Sequence, residues 1–171
     1  MLETVVRHLD IVLFYAFAGL ALGSAVMVVA QRNPTYSAFS FIITLCSLSA
    51  IFGLLGSPFI AVLQIVVYAG AIMVLFVFVM MLLNVKSEEP APGQSRVLKA
   101  VALGLGGLLV AEVGSTFLRG PAPPLAPGFD ASTRAVARIL FSAEYVYVFE
   151  ATSILIVAAL VGSVALAKKE L

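Results

Sequence analysis

The sequence has little charge and few of the residues that hold metals or redox groups. Of its 171 residues, 62% are hydrophobic and 11% are charged, whereas soluble domains are roughly 45–50% apolar and about 25% charged. It contains one cysteine, Cys46, one histidine, His8, and no tryptophan. One cysteine cannot form an internal disulfide, and an iron–sulfur cluster needs about four ligands. Without a CxxC motif or a histidine cluster, we expect the chain alone to bind no redox metal and no other cofactor.

The nearly balanced charge excludes a further class of function. The formal net charge is +1, so the sequence gives no reason to expect nucleic acid or an acidic substrate as a partner. A membrane-spanning helix needs about 20 consecutive, mostly apolar residues. A chain of 171 residues can hold several such helices but no separate soluble domain. We therefore expect one all-α polytopic membrane domain over residues 1–171, in contact with lipid.

Charged residues, prolines and glycines divide the chain into about five transmembrane helices. No charged residue occurs between Arg32 and Lys86, and this stretch is too long for one crossing. The turn at Gly56-Ser57-Pro58 is predicted to divide it. The first span is expected to be retained, because Ile11–Tyr15 is too short for the apolar region of a signal peptide. The predicted spans are approximately 11–30, 36–55, 59–83, 97–118 and 146–167.

The segments between these spans carry further information. Lys86–Gln94 and Arg119–Asp130 are predicted to be loops, because they are polar or rich in proline and glycine. Arg134 and Arg138 lie four residues apart, which predicts a short interfacial helix over Ser132–Phe141. With the N-terminus outside, six basic residues fall on the inner side and four on the outer side. The positive-inside rule therefore favours an outside N-terminus and a cytoplasmic C-terminus.

Polar residues inside the predicted spans are candidates for function. Glu112 lies well inside the fourth span and Glu150 about one turn into the fifth. Carboxylates at such depth are costly and often serve in proton relays. The alternatives are that Glu112 pairs with Arg119 or faces a partner chain, and that Glu150 lies among lipid headgroups. A hydroxyl face on the second span is expected to bond to its own or a neighbouring helix, with a wetted path as the alternative; it consists of Ser40, Thr44 and Ser47.

The third predicted span has a weak point in an otherwise apolar helix. Gln64 and Tyr68 lie four residues apart on one face. Tyr68 is followed by Ala-Gly-Ala, and a glycine such as Gly70 costs a helix about 1 kcal/mol relative to alanine. A π-bulge or kink suits such a place and tends to occur at functional sites. The alternative is a glycine that only allows close helix packing.

The same span carries a family resemblance. Gln64–Asn84 reads QIVVYAGAIMVLFVFVMMLLN and closely resembles the third-helix signature of subunit J (chain 6) of proton-translocating NADH:quinone oxidoreductase, respiratory complex I. A second similarity covers Leu140–Lys168, including Phe149-Glu150 and Leu160-Val161-Gly162. The first, second and fourth spans are similar only in hydrophobic character, so Glu112 inherits no role from the family.

The resemblance implies a membrane-arm subunit that couples quinone reduction to proton translocation but has no independent catalytic activity. NADH, FMN, iron–sulfur clusters and quinone would be used by other subunits, and the partners would include the quinone-site and antiporter-like subunits. In this family the third helix carries a π-bulge at the positions of Tyr68 and Gly70, and its rearrangement is thought to gate a hydrated proton path. The implied location is the bacterial plasma membrane.

Two other functions remain alternatives at this point. One is an accessory subunit of a multisubunit cation/proton antiporter, and the other is a structural membrane scaffold. For the coupling function, the candidate residues of the proton path or its gate are Gln64, Tyr68, Gly70, Glu112 and Glu150.

Overall fold

The computed structural model describes residues 2–83, 96–118, 120 and 130–168, and all regular structure among them is helical. The helices are α1 (Leu2–Ala30), α2 (Pro34–Leu54), α3 (Pro58–Leu63), a π-helix (Gln64–Ile72), α4 (Met73–Leu82), α5 (Arg96–Leu118), α6 (Thr133–Leu140) and α7 (Val146–Ala167).

Helices α1 and α2 form a hairpin with a well-defined turn. The side-chain oxygen of Asn33 accepts a hydrogen bond of 2.9 Å from the Thr35 amide, and Pro34 begins the helix. Both features are typical of helix N-termini, where the first amides lack partners. Hydroxyl groups then join the two helices along their length. Ser24 Oγ and Thr44 Oγ1 are 2.8 Å apart, and Ser37 Oγ donates to the Val28 carbonyl at 2.6 Å.

The second turn begins a long composite helix. Gly56 has φ +75°, a left-handed conformation that glycine adopts without steric cost, and Pro58 opens α3. Helix α3, the π-helix and α4 follow one another without a break from Pro58 to Leu82. Their contact with α2 forms the apolar core, which consists of Ala38, Leu45, Ala69 and Met73, with Ile42 and Val77 packed against it.

Helices α5 and α7 contribute nothing to this core. The described side chains of α5 are exposed apart from Gly114 and Ser115, which are half-buried, and α7 has no buried residue. Helix α6 adjoins α7, where the rings of Phe141 and Phe149 meet edge to face with centroids 5.0 Å apart. The buried side chains among the described residues all belong to α1, α2, the π-helix and α4.

The predicted all-α polytopic fold is confirmed. Four helical stretches are long and apolar enough to cross a membrane, namely Val5–Ala30, Pro34–Leu54, Pro58–Leu82 and Val146–Ala167. A shorter apolar stretch, Ala100–Thr116, lies within α5. The predicted short helix before the last span is present as α6. The predicted loop Lys86–Gln94 and most of Arg119–Asp130 lie outside the described residues.

Candidate functional site

The π-helix interrupts the third long helix without breaking it. At its beginning, the Gln64 amide bonds to the carbonyls of both Ile60 and Ala61. At its end, the Met73 amide bonds to the carbonyls of Gly70 and Tyr68. The bond from Met73 to Tyr68 spans five residues, where an α-helix would span four. π-helices are rare and occur frequently at functional sites. The π-bulge that the family resemblance implied at Tyr68 and Gly70 is therefore present.

The hydrogen-bonding register of the π-helix leaves little space for a Cβ atom at Gly70. A Cβ on Gly70 would lie 3.1 Å from the carbonyl oxygen of Ile65. In an α-helix a side chain lies over the residues three and four positions back, so this contact with the fifth residue back belongs to the π register. Any side chain on this residue would therefore require a shift of a few tenths of an ångström at this contact.

The π-helix presents one side to the core, and most of its other side chains are exposed. Ala69 is 9% exposed and Met73, the first residue of α4, is 3% exposed. Tyr68 is 51% exposed, and Gln64 is half-buried. Within the described residues the Tyr68 hydroxyl makes no hydrogen bond.

The two acidic candidates lie away from the core. Glu112 is exposed on α5, and its backbone carbonyl accepts a hydrogen bond of 2.9 Å from Ser115 Oγ. Glu150 is exposed near the start of α7. Arg119, the suggested partner of Glu112, lies outside the described residues. Nothing in the described part of the structure tests a role of Glu112 and Glu150 in a proton path, so that role stays a prediction.

The hydroxyl groups of α2 bond as expected, with one addition. Ser40, Thr44 and Ser47 donate to the carbonyls of Tyr36, Ser40 and Ile43 in their own helix. Ser49 instead donates to the Ala61 carbonyl of α3 at 2.7 Å. The sequence analysis missed Ser49. The pattern that points to Ser49 is the spacing of residues 38, 42, 45 and 49, which lie on the core-facing side of α2. This pattern is hidden in the sequence because apolar residues occur on every side of the helix.

No group of three or more histidine, cysteine, aspartate or glutamate residues that could hold a metal ion occurs in the described part of the chain. The one free cysteine of that part, Cys46, is exposed. The groups that the π-helix offers are its backbone amides and carbonyls, the Tyr68 hydroxyl and the Gln64 amide. Such groups can organise water and change helix geometry.

Together these features define an all-α, multi-pass membrane protein with a π-helix in its third long helix. Residues 24–166 match the family of NADH-ubiquinone/plastoquinone oxidoreductase chain 6. The chain belongs to this family and is thus a membrane subunit of NADH-quinone oxidoreductase, complex I, as the resemblance of its third span indicated.

Relatives from bacteria and from a plant show how far the similarity extends. NADH-quinone oxidoreductase subunit J of Pseudomonas aeruginosa is 34% identical over 160 residues, which cover 92% of this chain and 96% of the relative. The subunit J of Rhodobacter capsulatus is 30% identical over 164 residues, covering 90% and 79%. NADH-ubiquinone oxidoreductase chain 6 of Marchantia polymorpha is 46% identical over 78 residues, covering 46% and 39%.

Proposed function

We propose that this chain couples quinone reduction to proton translocation through a change of register in its π-helix. Electron transfer takes place in other subunits, which hold FMN and the iron–sulfur clusters and which bind NADH and quinone, while this chain carries no redox cofactor. The observation that carries the proposal is the π-helix Gln64–Ile72 in the middle of an apolar helix of membrane-spanning length.

A change from π to α register has a defined mechanical result. Shifting the register by one residue turns the helix beyond it by about 100°. In the structure Met73 is buried, whereas its neighbour Val74 is 63% exposed. After the turn a neighbouring residue takes the place of Met73 in the core. Two discrete packings, rather than a continuous range, are expected because close-packed interiors do not deform smoothly.

The same turn moves bulky side chains that lie on the outer surface of α4. Leu75, Phe76 and Phe78 are exposed on this chain, and a rotation of the helix carries all three to new positions. In one register they fill the space beside the helix and exclude water, and in the other they leave it open. A bulge in a membrane helix is tolerated where protein or water satisfies the freed backbone groups, so an open path beside it is readily hydrated.

Polar groups near this path complete the proposed route. Gln64 and Tyr68 flank the bulge and offer an amide and a hydroxyl to water. Glu112 and Glu150 are proposed as proton carriers further along, since intramembrane carboxylates commonly serve this purpose. The chain is placed in the bacterial plasma membrane with its N-terminus outside, beside the quinone-site subunit and the antiporter-like subunits.

The test is a crowding substitution at the bulge, made in the whole complex. Gly70→Leu is expected to lower NADH:quinone turnover and proton pumping together, by roughly tenfold, which corresponds to about 1.4 kcal/mol. Turnover with an artificial acceptor that takes electrons from the peripheral arm should remain normal. The matched control is Gly19→Leu in α1, because a Cβ there meets nothing within 4 Å.

Subunit composition must be measured for both variants. If Gly70→Leu assembles fully and keeps normal quinone-linked turnover and pumping, the coupling function of the π-helix is wrong. A loss equal to that of the Gly19→Leu control would also contradict it, because the effect would then not depend on the bulge.

A further inference from the structure

We infer that Ser49 is a positioning residue that holds the third helix in its π register, an inference that rests on the proposed function of that helix. Ser49 Oγ donates a hydrogen bond of 2.7 Å to the carbonyl of Ala61. The side chain is 6% exposed, so this bond is shielded from water. It is the point at which α2 is hydrogen-bonded to the segment that leads into the π-helix.

The acceptor lies at the boundary between the two helix types. In an α-helix the Ala61 carbonyl would accept from the amide of Ile65, which is the second residue of the π-helix. In the structure the Gln64 amide already reaches both Ile60 and Ala61. A carbonyl oxygen has two lone pairs, so the Ser49 hydroxyl supplies an additional partner where the regular ladder changes.

Ser49 differs from Ser47, two residues earlier in α2, in what it bonds. Ser47 is 2% exposed and donates to Ile43 of its own helix. Serine hydroxyls in membrane helices usually make such local bonds, which leave a neighbouring helix free to move. The Ser49 bond joins two helices and therefore restricts the rotation of α3.

A second contact holds the π-helix itself against α2, at Ala69. Ala61 faces α2, because a Cβ on Gly53 would lie 4.0 Å from the Ala61 Cβ. Ala69, eight residues later, is buried in the core with Leu45 of α2. In an α-helix, eight residues turn by roughly 800°, which would leave Ala69 about 80° away from the face of Ala61.

The π register reduces that mismatch. Its hydrogen bonds span five residues, so each residue turns by less than in an α-helix. Ala61 and Ala69 can then face α2 together. When both contacts are made, the π register is favoured. When the bond from Ser49 is lost, α3 is free to rotate and the α register becomes accessible.

The experiment determines the geometry of residues 64–72 in the purified whole complex by electron cryomicroscopy, sorting particles by helix register. Ser49→Ala should lower the ratio of π to α particles roughly fivefold, the factor expected for the loss of one buried hydrogen bond. Ser49→Thr keeps a hydroxyl and should restore the native ratio. Ser47→Ala is the matched control, since it removes a buried hydroxyl that bonds only within α2, and it should leave the ratio unchanged.

Ser49→Cys guards against failure of the alanine variant to assemble. A thiol is a weaker donor than a hydroxyl, so this variant should give an intermediate ratio. A native ratio in Ser49→Ala, or a loss in Ser49→Thr as large as in Ser49→Ala, would overturn the inference. A fall in Ser47→Ala as large as in Ser49→Ala would do so too.

Quinone-linked turnover measured on the same samples separates this inference from the proposed function. If the register shifts in Ser49→Ala while turnover and pumping stay normal, Ser49 has the inferred role and the coupling function of the π-helix is wrong. If the register does not shift, Ser49 lacks this role, and the proposed function is left to the Gly70 test.

Discussion

Tyr68 and Gly70 lie two residues apart in the π-helix and differ in what a substitution would remove. Gly70 avoids a close contact, because a Cβ at this position would lie 3.1 Å from the Ile65 carbonyl oxygen. Tyr68 provides a half-exposed ring with a hydroxyl that makes no hydrogen bond within the described residues. Substitutions at the two positions should therefore affect different steps.

Tyr68→Phe is expected to be milder than Gly70→Leu. The variant keeps the ring and loses only a hydroxyl, so the register should remain and the loss of quinone-linked turnover should be roughly two- to fivefold, about the effect of one hydrogen bond. Measurement of NADH:quinone turnover and pumping in the assembled complex checks this. A tenfold or greater loss, equal to that of Gly70→Leu, would show that the hydroxyl is part of the register change itself.

The residues of the site differ in how far the sequence predicted them. Gly70 and Tyr68 were predicted, because a glycine and a tyrosine interrupt an apolar helix in a pattern that resembles a known family. Ser49 was not predicted. Its hydrogen-bond acceptor is a carbonyl twelve residues away, and its spacing from the core-facing residues Ala38, Ile42 and Leu45 is hidden in a helix that is apolar on all sides.

At the scale of elements, α6 is stabilised by a compact polar turn outside the membrane-spanning helices. Ser132 Oγ accepts a hydrogen bond of 3.3 Å from the Ala135 amide and so caps the helix. The Asp130 carboxylate accepts from the Ser132 amide and hydroxyl at 2.8 and 2.9 Å. These two bonds, with a smaller contribution from Arg138, lower the pKa of Asp130 from its ordinary value of 3.8.

This turn should be insensitive to pH in the physiological range. A carboxylate whose pKa is lowered on folding stabilises the fold above its unfolded pKa, and the effect is lost only as the pH falls through the lower folded value. Between pH 6 and pH 8 (roughly the physiological range), hydrogen exchange of the α6 amides, corrected for intrinsic rates, should therefore be constant. Ser132→Ala should speed that exchange by roughly fivefold, since an N-cap contributes about 1 kcal/mol. Exchange that changes with pH in this range would contradict the assignment.

The spacing of Arg134 and Arg138 predicted α6, because charged residues at helical spacing stand out in an apolar sequence. The packing of α5 and α7 was not predictable in this way. Helices in lipid associate through close packing and hydrogen bonds rather than hydrophobicity, so an apolar helix does not reveal its neighbours. A Cβ atom added at Gly107 or Gly114 of α5, or at Gly162 of α7, would meet no described atom within 4 Å. These glycines therefore make no close helix contact within the described part of the chain.

At the scale of the whole molecule, the described helices fall into a packed group and an exposed group. Hydroxyl hydrogen bonds join α1 to α2, and the core, with the bond from Ser49, joins α2 to the composite helix that contains the π-helix. Helices α5 and α7 are exposed along nearly all their described length. In the proposed function, α2 is the fixed support beside which the third helix changes register.

The most direct test of this account is the geometry of residues 64–72 in the complex during turnover. Electron cryomicroscopy of the complex frozen with NADH and quinone should resolve two populations of particles. In one, the segment is a π-helix with Met73 in the core, and in the other it is an α-helix with a neighbouring residue in that place. A single π geometry in all particles, resting and turning over, would contradict the account.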